Sequence, residues 1–192
     1  KSGTARLYVD FLKKIMSIVR KRDKTPMFWG DIVLKHPECL TELPKDAVAL
    51  NWDYSAKLNK AATGTAAFEK SGLRQFVCPS CENYVRWRSE HDASWQNITS
   101  FAALGLKHHA SGLLNTDWGD MGHNHLWANS YYGLILGAAS AWNAAAQLGA
   151  MARADFDHAF CMLELGDTSG KATSYLNNPC NVKMNWYLLT FL

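Results

Sequence analysis

Four short apolar runs, each breaking into polar or aromatic residues and each followed by helix-forming sequence, constrain the fold of this chain more than any other feature. The runs are Met27–Trp29, Val48–Trp52, Arg74–Val77 and Gly112–Thr116. They are too brief for helices, which marks them as short buried strands. The first closes on Gly30-Asp31, the second on Asn51, Asp53 and Tyr54, the third on Cys78-Pro79, and the fourth on Asn115, Asp117, Trp118 and Asp120. Around them the period changes. From Thr4 to Arg22, apolar residues at Tyr8, Phe11, Leu12, Ile15, Met16 and Val19 recur at helical spacing with Lys13, Lys14, Arg20 and Lys21 between them, which predicts an amphipathic helix. A short helix interrupted by Pro37 is expected around Ile32–Leu43. Ser55–Gly64 reads as a polar loop, Ala66–Ser71 as a short helix stopped by Gly72, and Ser80–Asp92 as a long loop of the kind that carries function. Ala93–His108 and Leu126–Leu148 read as helices.

Strands that alternate with helices form parallel βα units joined by right-handed crossovers. A closed eight-unit barrel takes roughly 250 residues. The 192 residues here hold about half of one. The expected fold class is therefore α/β, a partial TIM (β/α)8 barrel of about four βα units over residues 1–149. A helical tail over residues 150–192 follows, with helices around Ala152–Leu165 and Val182–Phe191. In such architectures the chemistry sits beyond the carboxyl ends of the strands, where the polar clusters of this chain fall.

Charge and composition narrow the partners. The formal net charge is +3, and the basic residues gather mainly in Lys13–Lys24, on the solvated face and at the C-terminal end of the first helix, where cations suit the helix dipole. Neither nucleic acid nor a membrane is expected as a partner, and no stretch reaches the roughly 18 consecutive apolar residues of a membrane span. The segment KSGTARLYVDFLKK lacks a signal-peptide core, which leaves the compartment open. Eight Trp and seven Tyr exceed what a core of this size needs, and several stand beside polar residues. Aromatic surface next to hydrogen-bonding groups suits sugar rings. Five cysteines at irregular spacing argue against a disulfide framework. Cys78-Pro79-Ser80-Cys81 fits a CxxC pattern, but redox chemistry would want it opening a helix and zinc would want a second pair, so the two read as ordinary thiols at a strand end. His108 and His109 are expected to finish a helix, and the sequon Asn97-Ile98-Thr99 sits in a helical setting.

The stretch Ser111–His125, SGLLNTDWGDMGHNH, gathers the densest polar chemistry. Together with Phe28-Trp29-Gly30-Asp31-Ile32, Ala49-Leu50-Asn51-Trp52-Asp53-Tyr54 and Phe76-Val77-Cys78-Pro79, it resembles the C-terminal half of the catalytic barrel in family 20 glycoside hydrolases, the β-N-acetylhexosaminidases. The resemblance runs roughly from Thr4 to Trp142, in the right order, and is most specific at Gly112–Asp120 with Gly122-His123.

It implies substrate-assisted retention, in which the sugar's 2-acetamido oxygen attacks the anomeric carbon while an Asp orients it and the adjacent Glu is the acid. No Asp-Glu dipeptide occurs in this sequence. The resemblance places that pair upstream of Lys1, so the chain is expected to be a fragment that binds sugar and is inactive when isolated. It implies that Trp29, Trp52 and Trp118 wall the subsite and enclose the acetamido methyl group, that Tyr84, or Trp87 in the same loop, meets the acetamido oxygen, and that Asp120 stands where the family has a Glu gripping the outer hydroxyls. Asp31 and His123 are rim residues in this reading, and Asp117 either meets substrate or caps the following helix. Trp29 and Trp52 could instead be core residues. The expected partner is an N-acetylated amino sugar, with no cofactor and no metal, and open barrel edges favour self-association. Two alternatives stay open: a metal-dependent barrel hydrolase using Asp117, Asp120, His123 and His125, and a non-catalytic carbohydrate-binding barrel.

Overall fold

The computed structural model describes residues 3–55, 57–86, 88–120, 125–144 and 153–176. In chain order the elements are α1 (Gly3–Arg20), β1 (Met27–Trp29), α2 (Asp31–Leu34), a 3-10 helix (Pro37–Glu42), β2 (Val48–Trp52), α3 (Asn59–Ser71), β3 (Arg74–Cys78), α4 (His91–Lys107), β4 (Gly112–Leu113), α5 (Ala128–Trp142), α6 (Arg153–Glu164) and α7 (Ala172–Leu176). The expected helix at Val182–Phe191 lies outside the described residues. Among the described residues no helix is long and apolar enough to cross a membrane.

The architecture is α/β around a four-stranded parallel sheet in the order β1-β2-β3-β4. Two expectations need correction. The segment expected to be loop up to Gly64 is helical from Asn59 onward. The reason is tertiary: the Asp53 carboxylate, eight residues upstream, accepts from the Ala61 N–H at 2.9 Å and so supplies the cap that no local side chain provides. The fourth strand is also shorter than its apolar run, ending at Leu113, and its pairing resumes only as a single bridge between Ser80 and Thr116.

The chain divides into two compact units, residues 1–79 with 101–114 and residues 80–100 with 115–192. The first contains the sheet. Its register pairs Trp29 with Leu50 and Leu50 with Phe76, and side chains alternate across the pleat. Phe28, Ala49, Asn51, Gln75 and Val77 therefore share one face, while Trp29, Leu50, Trp52, Phe76 and Cys78 share the other. Phe28 and Ala49 pack into a core with Val9 and Met16 of α1 and Phe68 of α3. Burial of each large apolar side chain there contributes about 1.5–3 kcal/mol. Gly30 is required at the tip of β1 because a Cβ there would fall 2.5 Å from the Phe68 ring.

The second unit is built on helices. Tyr132 and Leu136 of α5 pack with Ile98 of α4 and with Phe156, Phe160 and Cys161 of α6. The Tyr132 hydroxyl, drawn into this core by its ring, donates to Asp157 at 2.7 Å. His91 stacks on the same ring at 4.2 Å.

Candidate functional site

In the sheet-bearing unit the expected tryptophans stand on neighbouring strands and on the same face of the sheet. Trp29 is the last residue of β1 and Trp52 the last of β2, so both lie at the carboxyl edge. Neither is a closed core residue: Trp29 is 36% exposed and Trp52 is half-buried. The Trp52 indole has the Tyr54 ring at 5.1 Å and the Lys60 ammonium 4.6 Å above its centroid, a cation–π contact. Asp31 opens α2 and is half-buried. The Tyr8 hydroxyl is held above its usual range first by burial and then by the charge of Asp31. Asp31 and Trp52 line one cleft of about 590 Å³ together with Lys35, Asn51, Lys60 and Gly64.

The second unit holds a buried polar network that hangs on Asn83, which is fully buried. Its amide nitrogen lies 2.5 Å from Asp117 Oδ1, 2.8 Å from Ser130 Oγ and 3.1 Å from His125 Nε2. Asp117 accepts only, so the Asn83 group facing it is the NH2. Asp117 does not cap α5, whose N-cap residue is Trp127. Its second oxygen and the Asn83 carbonyl oxygen are buried acceptors without a hydrogen-bond partner among the described residues. Such oxygens suit hydroxyl or N–H donors.

No protein-family model matches this chain, and neither does any curated protein. The site therefore rests on its own geometry.

Tyr84 is half-buried, with Arg86 over its ring at 5.9 Å. Its phenol is pushed up by burial first, then by the negative charge of Glu82, and least by Asp120, while Arg86 pulls the other way. Trp118 is 37% exposed and Asp120 is exposed, so both present their side chains to solvent. His123 and Trp87 lie outside the described residues. Among the described residues no group of three or more His, Cys, Asp or Glu is placed to hold a metal ion.

Cys39, Cys78, Cys81 and Cys161 are free and buried. Burial pushes the thiols of Cys78 and Cys81 up to about 12, the latter helped by the charge of Asp117, so both stay protonated and unreactive at neutral pH. Asn97 of the sequon is fully buried and accepts from the Ser80 N–H at 3.0 Å. His108 follows the last residue of α4 and meets Glu69 at 2.8 Å.

The residues that sequence reasoning missed are Asn83 as a hub and Asn51, Lys35 and Lys60 as cleft residues. Asn83 has its partners 34, 42 and 47 positions away, a separation that leaves no periodic mark. Asn51 did carry a signal: an amide inside an apolar strand, where an unpaired polar group is costly.

Proposed function

We propose that this chain supplies sugar-binding surface of a retaining β-N-acetylhexosaminidase, built as part of a (β/α)8 barrel and acting on terminal N-acetylglucosamine or N-acetylgalactosamine. The observation that carries the reading is the placement of Trp29 and Trp52 on one face of adjacent parallel strands, both at the carboxyl edge, Trp29 exposed and Trp52 half-buried. Indole faces pack against the C–H face of a pyranose and against an acetamido methyl group.

In this mechanism the substrate's acetamido oxygen is the nucleophile, an acid protonates the leaving oxygen, and water then opens the cyclic intermediate with retention. The role of the chain's own residues is to bind and orient. The Asp-Glu pair that the resemblance calls for does not occur among these 192 residues. The chain alone is expected to bind an N-acetylated sugar without cleaving it.

Two measurements test the reading. Incubated with an aryl β-N-acetylglucosaminide, this chain should release no aryl alcohol, whereas a version extended upstream through an Asp-Glu pair should; turnover by the short chain would overturn the assignment of the acid. In calorimetry with N-acetylglucosamine, Trp52→Ala should weaken binding roughly thirtyfold, the loss of about 2 kcal/mol expected for a large aromatic contact. Affinity unchanged by that substitution would remove Trp52 from the sugar surface.

A further inference from the structure

The cleft beside Trp52 has chemistry that a neutral amino sugar does not call for. Asn51 stands on the face of the sheet that meets α3, opposite Trp29 and Trp52, and is 2% exposed. Its amide nitrogen donates to the Ala61 carbonyl at 3.2 Å and to Thr65 Oγ1 at 2.8 Å, which fixes the side chain and leaves Oδ1 outside both bonds. Oδ1 lies against Gly64, where a Cβ would come within 2.9 Å of it, so the glycine keeps this acceptor uncovered by a side chain. Lys35 and Lys60 line the same space, against one carboxylate, that of Asp31. Neither lysine has an ion pair among the described residues. Lys60 is held over the indole at the N-terminal end of α3, a place where the helix dipole already favours an anion over a cation. The rest of the lining is Leu34, Pro37, Ala67 and Trp52, with Thr63 as the one further polar residue.

We propose that this cleft is a binding site for a small hydroxylated anion, a sugar acid or sugar phosphate. The two ammonium groups meet the anionic group, Asn51 Oδ1 and the Asp31 carboxylate accept from hydroxyls, and the apolar wall of Leu34, Pro37 and Ala67 covers the ring. A volume of about 590 Å³ falls within the range of small-molecule sites. The inference goes beyond the amino-sugar reading: it shares Trp52 and Asp31 with that surface, but the lysines and Asn51, which would meet the anion and a hydroxyl, have no part in it.

The test is titration of the full chain, by calorimetry and ligand-observed NMR, with glucuronate, glucose 6-phosphate, glucose and inorganic phosphate, repeated on Lys35→Gln, Lys60→Gln and the double variant. These are exposed positions, so the variants should fold like the parent. Expected is binding of glucuronate or glucose 6-phosphate that weakens with salt, falls about tenfold in the double variant, and exceeds that of glucose and of phosphate alone. Whichever of the two anions binds more tightly identifies the source of the charge as carboxylate or phosphate. The proposal is overturned if glucose binds as well as either anion, if inorganic phosphate alone matches them, if no probe binds, or if the double variant is unaffected. Because N-acetylglucosamine is titrated separately against Trp52→Ala, failure here leaves the amino-sugar reading standing, and the reverse also holds.

Discussion

At the scale of single residues, Asn83 is the most consequential side chain in the second unit. Its amide nitrogen donates to the Asp117 carboxylate and to Ser130 Oγ, with His125 Nε2 also within 3.1 Å. Hydrogen bonds to charged groups contribute more than neutral ones, and a buried carboxylate left without its donor carries a desolvation penalty. Asn83→Ala should therefore lower stability by about 2–3 kcal/mol in urea denaturation. Asn83→Asp should be worse still at pH 7, because it sets a second carboxylate against Asp117. If the two variants unfold at the same urea concentration, Asn83 does not face the Asp117 carboxylate.

Among the elements, α5 is placed by what it lacks. Ser130, Gly133, Gly137 and Ser140 are all buried and recur at spacings of three and four, so one face of the helix is nearly without side chains. That face lies against Cys81 and Asn115 of its own unit. A Cβ at Gly133 would come 2.8 Å from Cys81 Cβ, and one at Gly137 would come 2.5 Å from Asn115 Nδ2. Asn115 cannot swing aside easily, since it donates to the Gly133 carbonyl at 2.7 Å. Alanine is the better helix former by about 1 kcal/mol. Against that, overpacking a fixed neighbour costs about 1–3 kcal/mol. Gly137→Ala should thus lose up to about 2 kcal/mol by thermal or chemical unfolding, and a gain in stability would show that α5 sits farther from Asn115 than described.

Two properties belong to the molecule as a whole. His91 is held well below the ordinary histidine range, at about 4, chiefly because burial disfavours its charged form. The unfolded chain takes up a proton near pH 6.5 and the folded state only near pH 4. Stability from this group is therefore complete above pH 6.5 and is lost as pH falls through that window, by about 3 kcal/mol in all. The difference in unfolding free energy between the parent and His91→Phe should narrow or reverse between pH 7.5 and 4.5; a constant difference would mean that His91 titrates normally. The second property is association. β1 ends the strand order, and α1 exposes Leu7, Phe11, Ile15 and Ile18 along one flank. Unpaired strand edges and contiguous apolar patches promote pairing between copies. Sedimentation should show mass rising with concentration and falling back with Phe11→Lys; ideal monomer behaviour at high concentration would contradict this.

Strand and helix placement was legible in the sequence because the evidence for it is local. Apolar runs bounded by Gly and Pro marked β1, β2 and β3 nearly to the residue, and the helical period marked α1 and α4. Pro37 was a visible break, and the chain does divide there between α2 and a 3-10 helix. The tertiary structure alone decided where α3 begins, since its cap comes from Asp53 across a turn, and that the bare face of α5 would meet Cys81 and Asn115. It also decided that Asn83 and Asp117 would meet, and that Asn51, Lys35 and Lys60 would line one cleft. Period and punctuation depend on residues three or four apart, whereas a hydrogen bond or a cleft wall depends on residues brought together by folding, and their separation along the chain writes no pattern into it.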